Sequence, residues 1–218
     1  MGTAATDLVL TAPAWRRWLL LIAMFALGAA YIAVYALFVA RSRNFIDVQR
    51  NERAETFAQA HAVVVPSHLA FGEGQSGAGM LGGGWYNPEA GGAWTVSADA
   101  WIHLALTAPD SGFELQLNAM AFVVERHARI RIGIDVNDTP LGAWERHPAN
   151  AGEPMRVHVP ETVAKAGKLI VHLHIDKPAS PRQVGATGDF RQLGVFLTSL
   201  DLAVASEAPA ARPDVPWR

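Results

Sequence analysis

Residues 129–136 read Arg-Ile-Arg-Ile-Gly-Ile-Asp-Val, and this alternation of apolar and polar residues decides the fold class. In an extended strand successive side chains point to opposite sides. Ile130, Ile132, Ile134 and Val136 therefore share one face, and the charged residues lie on the other. One face of the predicted strand is buried and the other meets water, as in an antiparallel sheet.

Six further segments have the composition of strands, and turn signals separate them. They cover residues 101–106, 113–124, 140–144, 155–159, 168–175 and 193–202. Turns are predicted at Asn137-Asp138, at residues 109–112 and at Ala166-Gly167. Glycine is dense from residue 67 onward, which excludes a helix there. Residues 67–204 are therefore predicted to form an all-β antiparallel β-sandwich, or jelly roll.

Composition limits the classes of function. The chain has 218 residues, 50% of them hydrophobic and 17% charged, with a formal net charge of −2. This balance gives no basic field for binding nucleic acid. The chain has no cysteine, which excludes disulfides, thiolate catalysis and cysteine-ligated metals. The charged share lies below the roughly 25% typical of soluble domains, so an unusually apolar segment is expected.

Residues 18–40 are that segment and read WLLLIAMFALGAAYIAVYALFVA. As a helix they would extend roughly 35 Å, enough to cross the hydrocarbon core of a bilayer. Aromatic residues and arginines flank the segment, as is typical of membrane spans. A single transmembrane helix is predicted. The alternative, a cleavable signal peptide, is disfavoured because the segment is long and contains no Ala-x-Ala motif.

Alanines recur at spacings of three and four along one face of this predicted helix. Such a stripe of small residues lets a second helix approach closely within lipid. The alternative is that alanine is simply common in membrane helices. The candidate helix-packing residues are Ala26, Ala29, Ala30, Ala33, Ala36 and Ala40.

The remaining segments complete the predicted domain order. Residues 1–17 form a short N-terminal segment. Residues 41–66 are polar and lack glycine and, before Pro66, proline, which predicts a helical stalk or linker. Residues 205–218 contain three prolines and little apolar content, which predicts a loose tail.

Several short motifs within residues 67–202 carry a resemblance to a known domain type. They are residues 84–89 (GWYNPE) with Trp94, residues 121–123 (AFV), residues 136–138 (VND) with Leu141 and Trp144, Ser180-Pro181 with Gly185, and residues 189–194 (DFRQLG). In this order they resemble the jelly-roll accessory domain of bacterial membrane glycosyltransferases and other surface-polysaccharide assembly proteins. That domain is similar in shape to carbohydrate-binding modules. The resemblance implies an accessory module without a catalytic region of its own.

The orientation of the predicted membrane helix has two conflicting indications. Arg16 and Arg17 precede the apolar segment, whereas four arginines follow it closely, and the positive-inside rule then favours a cytoplasmic sandwich. The resemblance implies a periplasmic sandwich. We follow the resemblance and predict a single-pass protein of the bacterial inner membrane.

A candidate glycan site begins with Trp85, Tyr86, Glu89 and Trp94, three aromatic rings and a carboxylate in a short glycine-rich stretch. Aromatic faces stack on the apolar C–H faces of sugars, and a carboxylate accepts hydrogen bonds from hydroxyls. The structural alternative, which is preferred, has both tryptophans closing one end of the sandwich and Glu89 pairing with Arg191.

Asp189 and Arg191 form the second part of the candidate site. Alternate positions can direct both side chains the same way. They would then pair with each other or with Glu89, or Arg191 would present a bidentate guanidinium to an anionic sugar. Pairing that fixes the loop is again the preferred interpretation.

His172 and His174 lie two residues apart on a predicted strand and so share a face. This spacing occurs in metal sites of jelly-roll oxygenases of the cupin type, where a third ligand such as His158 or His103 would come from elsewhere. No glutamate follows at the expected distance. Two solvated histidines are therefore preferred, and neither a metal nor a cofactor is predicted.

Catalytic motifs are absent from the sequence. It contains no Gly-x-Ser-x-Gly, no phosphate loop and no nucleotide fingerprint. Glu89, Glu114, Glu125 and Asp189 could supply a pair of glycosidase carboxylates only at a separation of about 5–9 Å, which sequence does not give.

The predicted function is therefore binding without bond-making. The sequence favours a membrane-anchored, non-catalytic accessory protein that supports synthesis or export of a bacterial surface polysaccharide. Its expected partners are the lipid bilayer, a glycan and a membrane glycosyltransferase or another assembly subunit, but not nucleic acid. The alternatives are a structural subunit of another membrane complex and, third, a glycoside-acting or metal-dependent enzyme.

Overall fold

The computed structural model describes residues 14–107, 112–164 and 167–205. The chain divides into two compact units, Met1–Ile46 and Asp47–Arg218. Most of the predicted N-terminal segment, the predicted turn at residues 109–111, Ala166 and the predicted tail beyond residue 205 lie outside the described residues.

Helix α1 spans Ala14–Ala60, and its residues 14–46 belong to the first unit. The large apolar side chains of residues 18–38 are exposed in the structure, and so are the six alanines of the predicted stripe. In the described part of the chain, α1 is the one helix that is long and apolar enough to cross a membrane, a test that a signal sequence near the N-terminus also passes.

Besides the end of α1, the described residues of the second unit form nine strands and one short 3₁₀ helix, Ala78–Met80. The strands are β1 (Ser67–Ala70), β2 (Ala93–Trp94), β3 (Asp99–Leu104), β4 (Phe113–Ala121), β5 (Ile130–Val136), β6 (Thr139–Arg146), β7 (Met155–Val159), β8 (Leu169–Ile175) and β9 (Val195–Val204). In the longer strands, such as β4, β7 and β8, buried apolar side chains occupy alternate positions.

The strands form two antiparallel sheets around one core. One sheet has the order β1-β9-β4-β7, with β2 also paired to β9, and the other has the order β3-β8-β5-β6. Inward side chains of both sheets, among them Leu115, Ile134 and Leu200, form one apolar cluster. The predicted all-β antiparallel sandwich is confirmed, whereas the finer assignment as a jelly roll stays a prediction.

The hairpin between β5 and β6 turns at Asn137 and Asp138, as predicted. Both residues have positive φ, 47° and 63°, as a tight antiparallel hairpin requires. The Asn137 amide nitrogen donates to the carbonyl oxygen of Val163 at 2.8 Å, and its oxygen accepts from the Ile170 amide at 2.9 Å. The turn residue thus also ties the hairpin to β8.

Residues 47–60 of α1 lie on the sandwich within the second unit, and the helix ends at Ala60, ahead of Pro66. The Gly83 amide donates to Asn51 Oδ1 at 2.8 Å, and the Gly84 amide donates to Asp47 Oδ1 at 3.2 Å. A Cβ at Gly83 would lie 2.8 Å from the Asp47 Cβ. The glycine run at residues 82–84 therefore allows the backbone to approach the helix closely. The part of the predicted stalk from residue 47 onward is a layer of the domain.

His103 lies beneath this part of the helix and makes the stability of the domain sensitive to acid. It is only 6% exposed, and burial, the main cause, lowers its pKa. Nearby Glu55 opposes this shift and Lys168 adds to it. Below about pH 6.5 the unfolded chain binds more protons than the folded chain. The free energy of unfolding should therefore fall as the pH decreases from 7 to 5.

The variant His103→Gln is expected to flatten this dependence on pH, measured by urea unfolding at several pH values. His127 and His172, whose pKa values burial also lowers, would retain part of it. His147→Gln, which removes an exposed imidazole, is the matched control. An unchanged slope in His103→Gln would contradict the assignment.

Candidate functional site

A row of half-buried aromatic rings lies on the outer surface of the five-stranded sheet. Trp94 is paired with Phe196 in the register of β2 and β9, and their ring centroids are 5.0 Å apart at 45°. On its other side Trp94 meets Phe122 edge to face, at 6.3 Å and 85°. We call Phe122, Trp94 and Phe196 the aromatic row. Because its rings are tilted, it forms a contoured surface instead of a flat one.

Tyr86 lies beside the aromatic row, since its amide donates to the Trp94 carbonyl oxygen at 2.9 Å. The guanidinium of Arg191 lies over the Tyr86 ring, 5.4 Å from the ring centroid. It also donates to Glu89 Oε1 at 2.7 Å and to Asp189 Oδ2 at 2.9 Å. One arginine thus brings together four of the six residues singled out from the sequence. The expected pairing of Arg191 with both carboxylates is present.

The same contacts set the protonation of this cluster. The hydrogen bond from Arg191 lowers the pKa of Asp189, and the bonds to Asp189 and then Glu89 raise the pKa of Arg191. Asp189 therefore stays ionised at neutral pH. A glycosidase needs one carboxyl group with a raised pKa to act as general acid. The shift at Asp189 is in the opposite direction, so Asp189 is not suited to act as that general acid.

Trp85 requires a correction, because its ring is part of the core and not of a ligand platform. The residue is 1% exposed, and its indole nitrogen donates to the Trp101 carbonyl oxygen at 2.9 Å. A ring without accessible faces does not stack on a sugar. Of these two sequence neighbours, Trp85 is buried and Tyr86 is partly exposed, so only Tyr86 reaches the surface.

Tyr86 also borders a cavity of about 250 Å³ within the second unit. Arg50 and Arg53 of α1 form one wall, and Asn87 and Pro88 belong to the other. Arg50 donates to the Trp85 carbonyl oxygen and, at 3.3 Å, to Asn87 Oδ1. Aromatic, amide and guanidinium groups therefore line this cavity next to Tyr86.

A second cluster lies on the outer face of the four-stranded sheet. Asp99 Oδ1 is 3.1 Å from His172 Nε2 and 3.0 Å from His174 Nδ1. His174 Nε2 lies 2.9 Å from Asp135 Oδ2, and the His172 ring stacks on Trp101 with centroids 4.5 Å apart. Burial lowers the pKa of His172, and the nearby His174 lowers it further. The two histidines are thus half-buried and partnered instead of solvated.

The residues suggested from sequence as a third metal ligand do not join this cluster. His158 Nδ1 contacts Glu114 Oε1 at 2.9 Å on the other sheet, and His103 Nε2 contacts Asn51 Oδ1 at 3.0 Å. Asp99 is instead the third residue of the cluster, because the antiparallel register places it directly opposite His174.

Sequence reasoning missed Phe196, Phe122 and Asp99 as site residues. The outward position of Phe196 in the alternating segment of β9 was a usable signal for the first. Asp99 is far from His172 in sequence, and only the pairing of β3 with β8 brings the two together.

The sequence matches no family model and no curated protein. Among solved structures, the CBM36-1 domain of a multidomain xylanase from the hindgut metagenome of Trinervitermes trinervoides is 13% identical. That match covers 64% of this chain and 98% of that domain, with a TM-score of 0.40. The carbohydrate-binding module CBM36 in complex with calcium and xylotriose is 9% identical, covering 56% and 92%, with a TM-score of 0.35. A family 35 carbohydrate-binding module from Clostridium thermocellum is 13% identical, covering 56% and 87%, with a TM-score of 0.35.

Proposed function

We propose that the sandwich binds a glycan and that the protein is a membrane-anchored, non-catalytic accessory of bacterial surface-polysaccharide synthesis or export. The observation that carries the proposal is the aromatic row. Phe122, Trp94 and Phe196 keep partly exposed ring faces next to one another on the outside of a sheet. Exposed neighbouring aromatic surface is characteristic of binding sites, since an isolated fold has no need of it.

Tyr86, Arg191, Glu89 and Asp189 extend the row with polar groups suited to sugar hydroxyls. The carboxylates accept hydrogen bonds from hydroxyls, and their pairing with Arg191 holds them in place before a ligand arrives. Ligand sites commonly combine apolar surface with a few fixed polar groups in this way. The tilt of the rings favours a single glycan chain over a flat polysaccharide surface.

The apolar part of α1 supports the anchoring half of the proposal. Its large apolar side chains, such as Phe25 and Leu27, are exposed. A bilayer or a partner helix would cover this apolar surface and remove the free-energy cost of exposing it to water. The periplasmic orientation and the polysaccharide-assembly partner rest on the sequence resemblance. A helix partner along the alanine stripe, including Ala33, would connect the protein to the rest of that machinery.

The binding test uses the full chain in nanodiscs. The chain is purified from membranes that have been washed with alkaline carbonate, because a membrane-anchored protein should stay in the membrane during this wash. Calorimetry against bacterial polysaccharide fragments should detect binding, and Trp94→Ala should weaken it about fivefold or more because each stacked ring contributes about 1 kcal/mol or more. The matched control is Trp101→Ala, which removes a half-exposed tryptophan from the opposite sheet and should bind normally. Equal affinity in Trp94→Ala and wild type, or no binding by any fragment, would contradict the proposal.

A further inference from the structure

Two imidazoles and one carboxylate converge on the outer face of the sheet formed by β3, β8 and β5. His172 and His174 share that face because they are two residues apart on β8. Asp99 lies opposite His174 on β3, and Asp135 lies opposite His172 on β5. The side-chain exposures of His172, His174 and Asp99 are 21%, 33% and 46%, so the cluster is held by the sheet and open on one side.

We propose that Asp99, His172 and His174 bind a divalent transition-metal ion. One possible ligand atom from each residue, a ring nitrogen of each histidine and a carboxylate oxygen of Asp99, lies within 4.8 Å of the others. Bonds of about 2.0–2.1 Å at tetrahedral angles place ligand atoms about 3.3 Å apart. The observed distances from Asp99 Oδ1, 3.1 and 3.0 Å, need only small side-chain adjustments to reach that arrangement.

Both ring nitrogens of His174 face carboxylate oxygens, Nδ1 toward Asp99 and Nε2 toward Asp135. A metal ion held by His174 Nδ1 and Asp99 would leave the Nε2–H to donate to Asp135. The arrangement therefore provides both a metal ligand and a second group that orients it.

Asp135 and Trp101 have the roles of supporting groups around such a site. A metal-bound histidine commonly donates its other ring N–H to a carboxylate, which fixes the ring and strengthens the ligand. Asp135 is placed to accept that bond from His174 at 2.9 Å. Trp101, stacked on His172 with an interplanar angle of 16°, fixes the second ring.

The donor set defines the class of ion. Two imidazoles and one carboxylate suit Zn²⁺, Co²⁺, Ni²⁺ or Fe²⁺, whereas Ca²⁺ and Mg²⁺ prefer oxygen ligands. Three protein ligands leave one or more coordination positions for water or an exogenous ligand on the open side. This site lies on the sheet opposite the aromatic row, so its presence is independent of the proposed glycan binding.

The test is metal titration of the full chain in nanodiscs, prepared without a polyhistidine tag and stripped with a chelator. Calorimetry with Zn²⁺ should show one saturable site, and Co²⁺ should give visible absorption bands typical of imidazole ligation. His172→Ala and His174→Ala should each weaken Zn²⁺ binding at least tenfold, and millimolar Ca²⁺ should not compete. Asp135→Asn, which keeps all three ligands, should weaken it by about 10–100-fold.

His158→Ala is the matched control, because His158 pairs with Glu114 on the other sheet as a single imidazole and carboxylate. It should bind Zn²⁺ like wild type. Circular dichroism verifies the fold of each variant, and Asp99→Asn, nearly isosteric, provides a second loss-of-ligand variant. Absence of saturable Zn²⁺ binding, or binding that survives in both His172→Ala and Asp99→Asn, would overturn the proposal.

Discussion

Trp85→Ala is expected to lower the free energy of unfolding by about 3–5 kcal/mol, the usual cost of truncating a large buried aromatic residue. Trp85 is among the largest fully buried side chains, and its indole N–H donates to the Trp101 carbonyl oxygen. Single domains are stable by about 5–15 kcal/mol, so a large share of the stability would be lost. The measurement is urea unfolding of the detergent-solubilised chain, followed by the β-sheet signal in circular dichroism.

Two comparisons separate the causes of that loss. Trp85→Phe keeps most of the ring and removes the hydrogen bond, and the Trp101 carbonyl oxygen still accepts from the Gly82 amide at 2.9 Å. This variant should therefore lose far less stability than Trp85→Ala. Trp94→Ala, at a half-buried position, should also lose less. If Trp94→Ala were as destabilising as Trp85→Ala, the assignment of one ring to the core and the other to the surface would be wrong.

Gly84→Ala is expected to lower the free energy of unfolding by about 2–5 kcal/mol, the sum of a backbone penalty and a steric clash. Gly84 has φ +80°, which L residues adopt at a cost of about 1–2 kcal/mol. A Cβ at this position would lie 2.0 Å from the Asp99 carbonyl oxygen and 2.6 Å from the Ala100 Cα. Both are backbone atoms of β3, which cannot move without disturbing its pairing with β8.

Gly74→Ala is the matched control, because it isolates the backbone penalty. Gly74 has φ +70°, and a Cβ there would meet nothing within 4 Å. Its loss should be only about 1–2 kcal/mol. Equal losses in Gly74→Ala and Gly84→Ala, measured by the same urea unfolding, would show that the close approach of residue 84 to β3 carries no cost.

The sequence predicts those strands that are long enough to show an alternation of apolar and polar residues. In β5 the alternation of isoleucines with charged residues determines both the strand and its buried face. β1 and β2 are four and two residues long, too short for periodicity, and they form because β9 offers a partner edge. The different positions of Trp85, in the core, and Trp94, at the surface, could not be predicted, since glycine-rich loops have no regular alternation of side chains.

The candidate sites were predictable only where their residues are close together in the sequence. Pairs close in sequence, such as Asp189 with Arg191 or His172 with His174, were recognisable from their spacing alone. Groups assembled across strands were not, because Asp99 reaches His174 and Phe196 reaches Trp94 only through strand register. Register depends on long-range packing, which a single sequence does not display.

The glycine run at residues 82–84, which allows the close approach of α1, also protects an edge strand from pairing with other proteins. β3 is an edge strand of its sheet, and unpaired edges invite strand addition by another chain. Here the Gly82 amide donates to the Trp101 carbonyl oxygen, the Trp101 amide donates to the Gly83 carbonyl oxygen, and Leu81 bridges Ile102. The loop thus occupies the hydrogen-bonding groups that an incoming strand would need. Lengthening or displacing this loop would expose a template for edge-to-edge aggregation.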